Sequence, residues 1–294
     1  MQGIIGETVY EFIWCKGRKI SHKGMEQLYL QRGCGKPNGL FYNIYGGTEV
    51  PLISRPWMAF IYTPNGPCRC GGTLITERYV LTAAHCYEMC PGNNNLRVRL
   101  GEHNILTTED CYLGARKKVC FTAEDYEIES VFVHEDFSFS EQINDIALVR
   151  LKQVVQYKEH ILPICLPLNN VLARISPITK VPYLAAGWGL KDIYTTSDTL
   201  REVTLLSKKC PNLYGDPIEN AKGCTNGNEK DTCRGDSGGP LIRESDYYGR
   251  KVYVQYGIVS HGSSSSCGSE TAYYTQVAYY IPWIIEKLEK FPSS

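Results

Sequence analysis

The chain carries no excess of charge of either sign. Across 294 residues, 31 lysines and arginines balance 31 aspartates and glutamates, for a formal net charge of zero. That balance gives no electrostatic ground for nucleic acid or an anionic membrane as partner, and neither is expected. No run is long and apolar enough to span a bilayer, and no repeat of fixed period is visible. Methionine is scarce, at four, whereas cysteine is plentiful, at thirteen. Cysteine in that number points to an oxidising compartment and therefore to secretion. Met1–Trp14 has neither a basic start nor a sustained apolar run, so no signal peptide is read in it. The cysteines outweigh that missing leader. The one dense charge run, Arg116-Lys117-Lys118, reads as a solvated loop.

The length suits one medium domain or two small ones. Residues 1–43 hold scattered glycine, lysine and polar residues, two cysteines (Cys15, Cys34) and no sustained periodicity, as a pro-segment or linker would. From Ile44 to Ser294, short β-branched runs alternate with Gly, Pro and Asn punctuation. Examples are Gly72–Ile75, Tyr79–Ala83, Leu96–Leu100, Ile128–Val133, Ile146–Leu151, Val252–Val259 and Ala272–Val277. Closely spaced short strands predict an all-β barrel or sandwich. The chain ends with Ile281, Ile284, Ile285 and Leu288 on one face of an expected helix that packs against it.

The densest chemical signal is Asp231-Thr232-Cys233-Arg234-Gly235-Asp236-Ser237-Gly238-Gly239-Pro240. A serine between glycines on a tight turn exposes its hydroxyl, while neighbouring backbone N–H groups converge on one spot and can stabilise an oxyanion. Serine alone is a weak nucleophile and needs a base with an orienting carboxylate. His85, in Thr82-Ala83-Ala84-His85-Cys86, and Asp145, in Asn144-Asp145-Ile146-Ala147-Leu148, supply candidates for both. The other histidines, His22, His103, His134, His160 and His261, lack such a context and read as ordinary.

The order His, Asp, Ser resembles that of the chymotrypsin-like (trypsin-fold) serine proteases. Ile44-Tyr45-Gly46-Gly47, Cys70-Gly71-Gly72-Thr73-Leu74-Ile75, Ala186-Gly187-Trp188-Gly189 and Tyr256-Gly257-Ile258-Val259-Ser260 extend the resemblance over nearly all of residues 44–294. A narrower likeness to the clip-domain proteases of arthropod haemolymph rests on several segments. These are Arg55-Pro56-Trp57-Met58-Ala59, Leu100-Gly101-Glu102-His103, Glu109-Asp110-Cys111, Gly114–Cys120 and Pro163-Ile164-Cys165-Leu166-Pro167. A clip domain brings six cysteines of its own, more than residues 1–43 hold.

The resemblance implies two six-stranded antiparallel Greek-key β-barrels with a C-terminal α-helix, and catalysis by His85, Asp145 and Ser237. Gly235 and Ser237 N–H groups would form the oxyanion hole. Asp231 at the base of the specificity pocket would select Arg or Lys, with Ser260, Gly262 and Ala272 around the substrate. Ala272 stands where trypsin-like members carry glycine, which implies a narrowed pocket. The implied disulfides are Cys34–Cys165, Cys70–Cys86, Cys111–Cys120, Cys210–Cys224 and Cys233–Cys267; Cys68 and Cys90, which flank the histidine loop, are available for an additional pair, leaving Cys15 over. Activation would be a cut between Asn43 and Ile44, the new Ile44 ammonium pairing with Asp236. The family expects Arg or Lys where Asn43 stands. That leaves an asparagine-specific activator, an atypical junction, or a precursor that stays uncut.

Further implications are a structural Ca²⁺ ion held by Glu102, Asn104, Thr107 and Asp110, with Glu109 in reserve, and a monomeric protein. Its partners would be other protease zymogens as substrates, an upstream activating protease and serpin-type inhibitors. A silent, non-proteolytic homologue acting as a binding module is the alternative.

Overall fold

The β-branched runs become strands whose pairing closes on itself twice. In the computed structural model the described residues are 22–31, 33–37, 48–90, 95–114, 117–175, 180–190, 195–210, 221–225, 232–233, 235–262 and 271–293. In chain order they form α1 (His22–Tyr29), β1 (Thr48–Glu49), β2 (Met58–Tyr62), β3 (Arg69–Thr76), β4 (Tyr79–Thr82), α2 (His85–Glu88) and β5 (Arg97–Leu100). Next come β6 (Asp110–Leu113), β7 (Lys118–Phe121), β8 (Glu124–Val133), β9 (Ala147–Leu151), α3 (Asn170–Ile175) and β10 (Pro182–Gly187). β11 (Arg201–Lys208), β12 (Lys222–Thr225), β13 (Pro240–Tyr247), β14 (Arg250–His261), β15 (Ala272–Gln276) and α4 (Val277–Lys290) complete the chain.

The first barrel runs β2-β3-β4-β9-β8-β5 and closes from β5 back to β2. The second runs β11-β10-β13-β14-β15-β12 and closes through β12 onto β11, with β1 added outside β11. In each ring three consecutive strands lie side by side and the fourth returns beside the first: β5 beside β2, and β13 beside β10. That is the Greek-key arrangement, and closure removes the free edges that invite strand addition.

Leu74, Val80, Leu81, Val98, Leu100 and Leu148 are fully buried in the first core. Burying each such side chain stabilises the fold by about 1.5–3 kcal/mol. The second core is richer in tyrosine: Tyr183 and Tyr256 meet edge-on at 5.7 Å. Ile281, Ile284, Ile285 and Leu288 of α4 are all buried, as their spacing predicts.

Five expected disulfides are present: Cys34–Cys165, Cys68–Cys90, Cys70–Cys86, Cys111–Cys120 and Cys210–Cys224. Cys233 is disulfide-bonded, while its expected partner Cys267, and Cys15, lie outside the described residues. Cys111 and Cys120 face each other across the β6–β7 hairpin.

The segment before Ile44, which shows no sustained periodicity, nevertheless contains a helix. Residues 22–29 fold as α1 and pack on α4. Gln27 Nε2 donates to the Leu288 carbonyl at 2.8 Å, and Gln27 Oε1 accepts from the Ser293 N–H and hydroxyl, each at 3.1 Å. Leu28 is buried, and a Cβ on Gly24 would stand 2.4 Å from the Ile285 carbonyl oxygen. Eight residues with an internal glycine have little helix stability alone; docking supplies it. Cys34–Cys165 and the Gly35–Pro163 and Gly35–Tyr253 backbone hydrogen bonds, 2.8 Å each, anchor the rest of the segment.

Candidate active site

His85 opens α2 directly after β4, and Asp145 stands immediately before Ile146 and β9, which pairs with β4. Asn144 takes a positive φ of 54°, and the Ile146 N–H returns to its carbonyl at 2.8 Å, so the backbone turns sharply at Asp145. Asp145 is 5% exposed. Its Oδ1 accepts the His85 backbone N–H at 3.0 Å, and its Oδ2 lies 2.7 Å from His85 Nδ1. Ser260 Oγ adds a third donor at 2.5 Å, and Thr275 Oγ1 donates to the Asp145 carbonyl at 2.7 Å.

Burial pushes the Asp145 carboxyl upward, but hydrogen bonds from His85 and Ser260 together with the His85 charge outweigh it and hold the group below its ordinary range. An ionised Asp145 accepts only, so His85 Nδ1 carries the hydrogen, and in the uncharged form of the ring Nε2 keeps its lone pair, an assignment made from the hydrogen-bond network. A base of this tautomer, held at its far nitrogen, is what serine activation requires.

Ser237 is half-buried on a turn that bridges the barrels. Its carbonyl accepts the Gly71 N–H from β3 at 2.7 Å, and the Gly238 N–H donates to Val259 of β14 at 2.9 Å. The turn demands glycine. Gly238 has φ +79°, and a Cβ there would sit 2.2 Å from Thr82 Oγ1. Gly235, whose N–H is expected in the oxyanion hole, has φ +99°. Among the described residues no hydrogen bond joins Ser237 to His85; such contacts are commonly loose before substrate arrives.

Asp236 lies under this turn. Its Oδ1 accepts the Gly189 N–H at 2.8 Å and its Oδ2 the Cys233 N–H at 2.9 Å. The expected partner Ile44 and the junction residue Asn43 lie outside the described residues, as does Asp231. Thr232, next to Asp231, is buried with Oγ1 3.0 Å from Tyr274 OH, a contact the sequence did not suggest. Ala272 is 1% exposed and faces Thr225 across β12–β15. Gly262 is exposed with open space at its Cβ position. Ser260, expected around the substrate, donates its hydroxyl to Asp145.

The 102–110 loop gathers oxygen donors. Glu102, with its carboxylate enclosed, accepts from the His103 N–H at 2.8 Å and from Arg99 at 3.2 Å. Asp110 accepts from the Asn104 N–H at 3.1 Å and the Thr107 hydroxyl at 2.7 Å, and the Asn104 carbonyl accepts the Thr107 backbone N–H at 3.0 Å. Burial chiefly raises the Glu102 pKa; Arg99 opposes this and the nearby Asp110 charge adds to it. Two carboxylates and carbonyl oxygens around one loop fit a hard divalent cation in kind, and a cation there would relieve the repulsion between Glu102 and Asp110.

The two closed barrels and the His85–Asp145 pair fit one class: a family model described as trypsin matches residues 44–284, and the chain belongs to the trypsin family of serine proteases. Among curated proteins it is 36% identical to "Serine protease grass" of Drosophila melanogaster, over 93% of this chain and 75% of that one. It is equally 36% identical to "Melanization protease 1" of the same organism, over 91% and 70%. It is 32% identical to "Proclotting enzyme" of Tachypleus tridentatus, over 88% and 70%. The crystal structure of the Drosophila Grass clip serine protease of the Toll pathway superposes with a TM-score of 0.78 at 34% identity, covering 92% of this chain and 79% of that one. No helix among the described residues is long and apolar enough to cross a membrane.

Proposed function

We propose that this chain is a secreted serine endopeptidase that cleaves proteins after Arg or Lys, made as a zymogen within an extracellular proteolytic cascade. The carrying observation is the buried Asp145, which holds the His85 backbone N–H and Nδ1 at 3.0 and 2.7 Å. Ser237 attacks the scissile carbonyl while His85 Nε2 takes its proton. The N–H groups of Gly235 and Ser237 stabilise the oxyanion, and His85 then protonates the leaving amine. Water repeats the sequence on the acyl-enzyme. Asp145 stays ionised and balances the imidazolium. Asp231 selects the cationic side chain, and Ala272 narrows the pocket; a rise in kcat/KM on Arg and Lys peptides in Ala272→Gly is the check, and no change would remove that detail.

On this reading residues 1–43 are the pro-segment and 44–294 the catalytic domain, with α1 and Cys34–Cys165 retaining the pro-segment after the cut before Ile44. The partners are other zymogens, an upstream activator and serpin-type inhibitors, and the enzyme works as a monomer. Glu102, Asn104, Thr107 and Asp110 hold a structural Ca²⁺ ion. A silent homologue is the second reading, favoured by Asn43 at the junction. Active-site titration with a serine-directed phosphonate after a forced cut before Ile44 separates the two.

A further inference from the structure

His261 ends β14, opposite Tyr273 of β15. Its ring stacks on Tyr273, with centroids 4.7 Å apart and planes 11° from parallel. Nδ1 lies 3.0 Å from Ser260 Oγ. Ser260 has a single hydroxyl hydrogen, and Asp145 Oδ2 holds it at 2.5 Å. The Ser260 oxygen can therefore only accept from His261, which fixes the hydrogen on Nδ1. The result is one continuous line: His261 Nδ1–H to Ser260, Ser260 O–H to Asp145, and His85 Nδ1–H to the same Asp145 oxygen.

We infer that His261 is a positioning residue: its donation to Ser260 fixes the rotamer in which that hydroxyl holds Asp145 toward His85. A free serine hydroxyl samples several rotamers, and a second partner removes that freedom. Chained hydrogen bonds also polarise one another in a low-dielectric site. Burial first, and then the Lys222 charge from β12, push the His261 pKa down to about 4, with Asp145 opposing and His85 adding to the shift. Lys222 Nζ lies 5.9 Å from the centre of the Tyr273 ring. The donor on Ser260 is thus neutral at neutral pH, and His261 adds no positive charge beside His85 as it takes up the Ser237 proton.

This inference rests on the protease reading for its kinetics but not for its hydrogen bonds. His261→Phe keeps a ring on Tyr273 and removes the donor; His261→Asn puts an amide N–H near the Nδ1 position. In enzyme cut before Ile44, His261→Phe is expected to lower kcat about tenfold, the scale of one hydrogen bond, with KM within about twofold, and His261→Asn to restore most of it. In a Ser260→Ala background His261→Phe should change nothing further. Wild-type kinetics in His261→Phe, an effect confined to KM, or an undiminished loss in the Ser260→Ala background would overturn it. Proton NMR of the uncut chain supplies an arm free of activity. The far-downfield resonance of the His85–Asp145 hydrogen bond should shift in His261→Phe and return in His261→Asn. If that response is seen in a protein that never labels at Ser237, the protease reading falls and the positioning role stands; an unmoved resonance in an active enzyme overturns the role.

Discussion

The Gly189 N–H donates to Asp236 Oδ1 at 2.8 Å, and the carboxylate occupies the space a side chain on Gly189 would need. A Cβ there would stand 2.5 Å from Asp236 Cγ and Oδ2. Because Asp236 directly precedes Ser237, displacing it disturbs the turn that carries the nucleophile. Gly189→Ala is expected to lower kcat by about 10²–10³, the scale of one lost oxyanion donor, while the barrels stay folded. Steady-state kinetics beside a thermal melt check this; unchanged kcat would show that Asp236 tolerates the shift.

Asp145 acts through orientation and charge. Asp145→Asn should lower kcat by about 10⁴ by presenting His85 in the wrong tautomer. The carboxylate also contributes to stability. Its pKa in the fold lies below the unfolded value of about 3.9. Its contribution is therefore fully present above that value and is lost as pH falls through the folded pKa. Denaturant unfolding of Asp145→Asn should show a shallower loss of stability on acidification below about pH 4 than the native chain; parallel curves would contradict the linkage.

The candidates His85, Asp145 and Ser237 stood out in the sequence because each sits in a short contiguous context whose residue types the chemistry itself demands, as in Gly235–Gly239, and the structure joins the first two. The strands were legible from alternating β-branched runs, which left barrel and sandwich open; the two barrels and most of the disulfides were legible only from resemblance. The α1 helix was not legible: with Gly24 inside eight residues, its stability resides in α4, more than 250 residues away in sequence, as the Gln27–Leu288 separation of 261 shows. The duties of Ser260 and His261 were hidden for the same reason. The contact with Asp145 spans 115 residues and exists only once β14 lies against the Asp145 turn.

That docking is itself testable. Gln27→Ala removes one donor and the acceptor of two hydrogen bonds at the α1–α4 junction. It should cost about 1–3 kcal/mol of stability, read by denaturant unfolding. Cleavage of a small peptide by the cut enzyme should be unaffected, because α1 makes no described contact with His85, Asp145 or Ser237. An unchanged midpoint would mean that the disulfide alone retains the segment.

Calcium binding makes a separable prediction. Millimolar Ca²⁺ should raise the melting temperature of the native chain, and Glu102→Gln should abolish that rise by removing a buried carboxylate ligand. No stabilisation of the native chain by Ca²⁺ would remove the site.

The most direct test of the central claim is mass-spectrometric active-site titration of an Asn43→Arg chain cut by trypsin before Ile44, with the intact Asn43 chain alongside. Stoichiometric phosphonate labelling at Ser237 is expected in the cut protein and none in the uncut one. A protein shown to begin at Ile44 and still unlabelled at Ser237 would contradict it.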